Sequence, residues 1–126
     1  MEELILEPYT LNERWRFFGD ADQWENLISE FMETLAHRCY ETGKAIIGHI
    51  KALALFPDGG YLRVSVVSPT LAAGVEGSVP MGCTELVLTL NVVVYGLGRE
   101  LLERIARETV DHLTKKWKGG VTIEAI

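Results

Sequence analysis

AIIGHIKALALF at 45–56, PDG at 57–59 and GYLRVSVVS at 60–68 read together as one β-hairpin, and the rest of the fold follows from its register. Pro57 presets the first turn position, Asp58 suits the second, and Gly59 supplies the left-handed residue of a three-residue loop. That loop pairs Phe56 with Gly60. Ala54 then faces Leu62, Ala52 faces Val64 and Ile50 faces Val66, which makes one wholly apolar face. The opposite face sets Leu53 against Arg63, Lys51 against Ser65 and His49 against Val67. A loop one residue shorter or longer would mix the two sets, so pattern and turn chemistry agree on one register.

Outward from the hairpin, residues 69–82 hold three glycines and two prolines and read as a long, partly apolar loop. Long ordered loops tend to carry contacts or function. Residues 85–95 form the strongest strand pattern. Leu86, Leu88, Leu90, Val92 and Val94 point one way; Val87, Thr89, Asn91, Val93 and Tyr95 point the other. So apolar a strand belongs in the middle of a sheet. A helix is expected over about 98–117, with Leu101, Leu102, Ile105, Ala106, Val110, Leu113 and Trp117 as its apolar stripe. Gly119 and Gly120 stop it, and residues 121–126 close the chain as a short strand.

On the N-terminal side, Trp24, Leu27, Ile28, Phe31, Met32, Leu35 and Cys39 recur at helical spacing, with Asp20 or Asp22 as the N-cap and Gly43 as the stop. Residues 1–20 are set apart as an arm pinned by Trp15, Phe17 and Phe18, with Leu4, Ile5 and Leu6 as an edge strand. Residues 21–126 then form a single domain. The order helix, three strands, helix, strand predicts an α+β two-layer sandwich. Its antiparallel sheet has four strands, or five with the arm, and two helices cover one face.

The 126 residues carry 12 Lys and Arg against 18 Asp and Glu, a net charge of −6. That balance argues against nucleic acid and anionic membranes as partners, since both select basic surfaces. No apolar run approaches the length of a membrane span. The first residues lack the pattern of a secretory signal, and two distant cysteines suit a reducing cytoplasm.

Motifs for chemistry are sparse. His37 and Cys39 stand roughly 200° apart on their helix and cannot share a metal, no C-x-x-C occurs, and neither metal nor cofactor is expected. Ser78 lacks the flanking glycines of a nucleophile elbow. Gly96 and Gly98 open a helix, but Leu101 stands where a dinucleotide fingerprint needs glycine, so they read as turn residues. Lys115 and Lys116 suit a helix C-terminus, where cations oppose the dipole.

The uncovered sheet face remains. His49, Lys51, Arg63, Ser65, Thr89 and Asn91 share it and form a candidate site for a small anionic ligand. Leu53, Leu55, Val67, Val87, Val93 and Tyr95 share it too, and this half-apolar mixture resembles an interface more than a wet surface. The expected function is therefore an interaction module that self-associates through this face or the 69–82 loop, giving a homodimer. The alternative is a small enzyme or metabolite-binding protein, with His49 as general acid or base and the cations holding an anionic substrate.

Overall fold

The computed structural model describes residues 9–17, 23–117 and 120–126. Its elements in chain order are β1 (Tyr9–Phe17), α1 (Trp24–Glu41), β2 (Ile46–Leu55), β3 (Tyr61–Val66), β4 (Gly74–Ser78), β5 (Glu85–Tyr95), α2 (Arg99–Lys116) and β6 (Val121–Ala125). The class is α+β. One sheet runs in the order β4-β3-β2-β5-β1-β6, with every neighbouring pair antiparallel.

The hairpin has the register its sequence dictates. Ile50 pairs with Val66, Ala52 with Val64 and Ala54 with Leu62. Phe56 and Gly60 close the loop, Gly59 donates its N–H to the Phe56 carbonyl at 3.1 Å, and Gly59 has φ +89°. β2 pairs on its other side with β5, in step from His49–Val93 to Leu55–Val87, with a register shift at Gly48.

Among the described residues six strands replace the four or five expected, and both additions have a physical reason. β4 lies inside the segment read as a loop. Its residues GVEGS have little strand propensity, and pairing with β3 is what holds them extended. β1 is YTLNERWRF, where a glutamate occupies an inward position and hides the alternation of Tyr9, Leu11 and Trp15. It lies between β5 and β6, pairing Trp15 with Leu86 on one side and Ile123 on the other. The order is thus β-α-β-β-β-β-α-β, not α-β-β-β-α-β. The expected edge strand at Leu4, Ile5 and Leu6, the caps at Asp20 and Asp22, Phe18 and Gly119 lie outside the described residues.

Both helices pack on one face, where Ile50, Ala52, Ala54, Leu62, Val64, Val66 and the even-numbered residues 86–94 are buried against Phe31, Ile28, Leu35, Leu102 and Leu113. Trp15 anchors β1 to this layer. Its ring meets Phe31 edge-on at 5.3 Å and lies 6.2 Å from Trp117. Such aromatic pairs contribute about 1 kcal/mol beyond the area they bury. Trp24 donates its indole N–H to the Cys83 carbonyl at 2.7 Å, tying the start of α1 to the start of β5. Cys39 is fully buried on the stripe of α1, and desolvation pushes its thiol up to about 11. It behaves as a small apolar residue.

At the β5–α2 corner Gly96 has φ +93°, and a Cβ there would run into the Lys44 carbonyl. Only glycine fits so close an approach, which is the turn role its sequence suggests. No helix among the described residues is long and apolar enough to cross a membrane.

Candidate functional site

With both helices on one side, no described segment covers the other face of the sheet, and the strand register lays its side chains out in rows. One row reads Gly74, Ser65, Lys51, Asn91, Thr10 across β4, β3, β2, β5 and β1. The next reads Glu76, Arg63, Leu53, Thr89, Asn12, and a third reads Ser78, Tyr61, Leu55, Val87, Arg14. His49 and Val93 pair one row beyond Lys51. The result is a polar band between two apolar clusters. Tyr61, Leu55, Val87 and Leu53 form one; Val67, Val93, Tyr95 and Ile46 form the other.

An open groove of about 660 Å³ follows the polar band. Lys51, Leu53, Arg63, Ser65, Thr89 and Asn91 line it, and residues 74–76 of β4 form one wall. Five of the six polar residues singled out from the sequence therefore meet in one depression. His49 shares the face but not the groove lining, and it has no hydrogen-bond or ion-pair partner among the described residues.

The polar contacts sort these side chains into engaged and available. Thr10 Oγ1 donates to Asn91 Oδ1 at 2.9 Å, and Thr89 Oγ1 donates to Asn12 Oδ1 at 2.9 Å. The Asn91 amide N–H groups stay available to an incoming acceptor. Arg63 lies 5.3 Å over the Tyr61 ring and 4.0 Å from Glu76, at the limit of an ion pair and well exposed. Arg16 is held at 3.3 Å by Glu85 and at 3.2 Å by Glu124. Lys51 has no ion-pair partner among the described residues, and with Arg63 and Glu76 it sets the charge of the groove lining.

The apolar residues of this face are unevenly covered. Leu55 is 50% and Val67 60% exposed, whereas Leu53, Val87, Val93 and Tyr95 are half-buried among their neighbours. Where described, the N-terminal stretch does not cover them. Trp15 is turned to the helix layer, and β1 adds Thr10, Asn12, Arg14 and Arg16 to the bare face. The 69–82 segment contributes its own strand, β4, to the rim of the groove.

Two sets of residues escaped the sequence. Gly74 and Glu76 were unreadable because a glycine-rich strand gives no alternation. Glu13 was hidden among charged neighbours, yet it is buried at 7% exposure on the helix-covered side. Desolvation there raises its carboxyl to about 7, an effect that the Trp15 indole N–H on Oε1, at 3.3 Å, moderates. Among the described residues, no three His, Cys, Asp or Glu side chains converge as a metal site. His37 pairs instead with Glu41 at 2.8 Å on the outside of α1.

No protein-family model matches the chain, and neither does any curated protein or solved structure.

Proposed function

We propose that this protein is an interaction module that works through the bare face of its sheet, and that the partner is a second copy of the chain. The observation that carries the reading is the placement of both helices on one side, with Leu53, Leu55, Val67, Val87, Val93 and Tyr95 on the other. Six strands about 4.8 Å apart, five to eleven residues long and about eight on average, with a rise of about 3.4 Å per residue, give a face on the order of 700 Å². A standard interface takes about 800 Å² from each partner, so this face matches what a stable dimer needs. Two apolar clusters flanking a polar band suit a two-fold contact, in which each cluster meets a cluster of the other copy. The free, buried thiols of Cys39 and Cys83 support a reducing compartment such as the cytoplasm.

Light scattering behind a sizing column tests the reading. The expected species is a dimer of the 14.1 kDa chain at micromolar concentration. Val87→Lys places a charge on the contact and leaves the helix-covered core intact, so it should give a folded monomer. A monomeric parent protein would overturn the proposal.

One observation favours a second reading, recognition of a small anion. Lys51 has no ion pair among the described residues and stands in a groove with Arg63, Ser65 and the Asn91 amide. A thermal-shift screen with phosphates and carboxylates addresses it, because a ligand at 100 times its Kd adds about 2.7 kcal/mol. Lys51→Met should abolish any stabilisation seen. His49 would then be the group to test for acid or base chemistry.

A further inference from the structure

On the opposite side of the sheet from the groove, a cavity of about 260 Å³ opens between β1 and α2. Leu11, Ala106 and Val110 give it apolar walls, the Tyr9 ring adds an aromatic one, and Glu13 stands inside. At 7% exposure, Glu13 is the one buried carboxyl among the described residues. Its Oε1 accepts the Trp15 indole N–H at 3.3 Å. Among the described residues the other oxygen has no partner, and no side-chain oxygen is both sealed and unpartnered. That oxygen therefore keeps its access on the cavity side.

Buried acids usually have a cation or several hydrogen bonds, because an isolated carboxylate in an apolar site is costly. Among the described residues Glu13 has one long hydrogen bond and no paired cation. Its cross-strand neighbours, Leu88 and Ala125, are uncharged. At the mouth, Arg107 lies 4.0 Å from Glu103, so the two largely cancel. Burial, together with the Glu103 and Glu13 carboxylates, pushes the Tyr9 hydroxyl up, and Arg107 and Arg99 oppose the shift. An ionised Glu13 leaves the interior of the cavity with one net negative charge, an aromatic face and apolar walls. That combination recognises an organic cation: the ammonium pairs with the carboxylate and the ring, and the hydrocarbon fills the remainder.

We propose that this cavity is a binding site for a small primary amine, held by a salt bridge between its ammonium group and Glu13. At about 30 Å³ per water-sized group, the volume holds roughly eight or nine non-hydrogen atoms, the size of a cyclic or short-chain monoamine. Binding is coupled to proton release, because the site accepts the cation only when Glu13 is ionised. The other charged and titratable groups facing it are Glu103 and Arg107 on α2 and Tyr9 on β1. The site is independent of the bare face and of whatever binds there.

Cyclohexylammonium is a suitable probe, with cyclohexanol and cyclohexanecarboxylate as matched neutral and anionic controls. The indole N–H resonance of Trp15 reports directly on Glu13. The amine should shift it saturably, about tenfold more tightly at pH 8 than at pH 6, in line with the ionised fraction of the carboxyl. Glu13→Gln keeps the acceptor for Trp15 and should lose the amine response. Val110→Phe, which fills the cavity from α2, should lose it with Glu13 intact. Cyclohexanol binding as well as the amine, retention by Glu13→Gln, or no saturable response overturns the proposal. Tighter binding at pH 6 overturns it too, since that is the behaviour of a neutral carboxyl donating to its ligand.

Discussion

Replacing Glu13 with glutamine should stabilise the protein above neutral pH and leave it nearly unchanged near pH 5. The carboxyl is raised from 4.5 to about 7 by burial among Leu11, Trp15 and the α2 side chains. Each tenfold change in proton affinity corresponds to about 1.4 kcal/mol, so ionised Glu13 costs the folded state roughly 3 kcal/mol relative to a solvated carboxylate. Below pH 4.5 both folded and unfolded chains are protonated at this residue and it contributes nothing. Between 4.5 and 7 the folded chain holds one more proton. Stability therefore falls as pH rises, by up to about 1.4 kcal/mol per pH unit, and levels off above 7. Tyr9 and Cys39 are displaced upward from values of 9 or more and titrate outside this window. Glutamine cannot ionise and preserves the acceptor for the Trp15 indole, though without the charge that strengthens the bond. Allowing about 1 kcal/mol for that loss, the net gain at pH 8 is about 2 kcal/mol. Urea unfolding followed by tryptophan fluorescence at pH 5, 6, 7 and 8 measures the difference. A gap between variant and parent that stays constant across the series, or a loss of stability at pH 8, would refute the reasoning.

Three further substitutions probe the frame around both sites. Gly59→Val should lower stability by about 1–2 kcal/mol in denaturant titration, because a β-branched residue resists φ +89° although open space surrounds it; an unchanged midpoint would remove the support for the loop. Cys39→Ser should cost about 1–3 kcal/mol by burying a hydroxyl on the apolar stripe of α1. His37→Ala, on the exposed side of the same helix, should lose no more than about 0.5 kcal/mol with its Glu41 pair.

The contrast between β2–β3 and β1 explains how much of the fold was legible. The hairpin announced itself because two independent constraints coincide: alternation selects one face, and Pro57-Asp58-Gly59 selects one loop length. β5 was legible because it is apolar on the buried face and half apolar on the other. β4 escaped because its strand state is imposed by Tyr61–Ser65 pairing across to Ser78–Gly74 and not by its own residues. β1 escaped because Glu13 occupies a core position, and one inward charge breaks a short alternating pattern. The candidate groove was mostly readable, since register alone brings Lys51, Ser65 and Asn91 into line. Its wall was not, because that required β4. The Glu13 cavity was invisible in principle: a buried carboxyl and a solvated one look alike in a sequence, and only the position of α2 over β1 separates them.

The placement of β1 between β5 and β6 has a consequence for how the chain acquires its structure. Arg16 meets Glu85 and Glu124, partners 69 and 108 positions further along. Both strands that pair with β1 follow it at a long distance in sequence, so a nascent polypeptide must carry β1 without its sheet neighbours until β5 and β6 have been made. Closing loops of that size precedes any reward from the contacts, which slows productive pairing. The α1–hairpin segment, built from near neighbours, is free to organise first and to present the edge of β5 as a template. β1 then docks late, and β6, whose sheet neighbour is β1, docks later still. Within this domain, the longest-lived target for an aggregation-suppressing chaperone would therefore be the unpaired edges of β1.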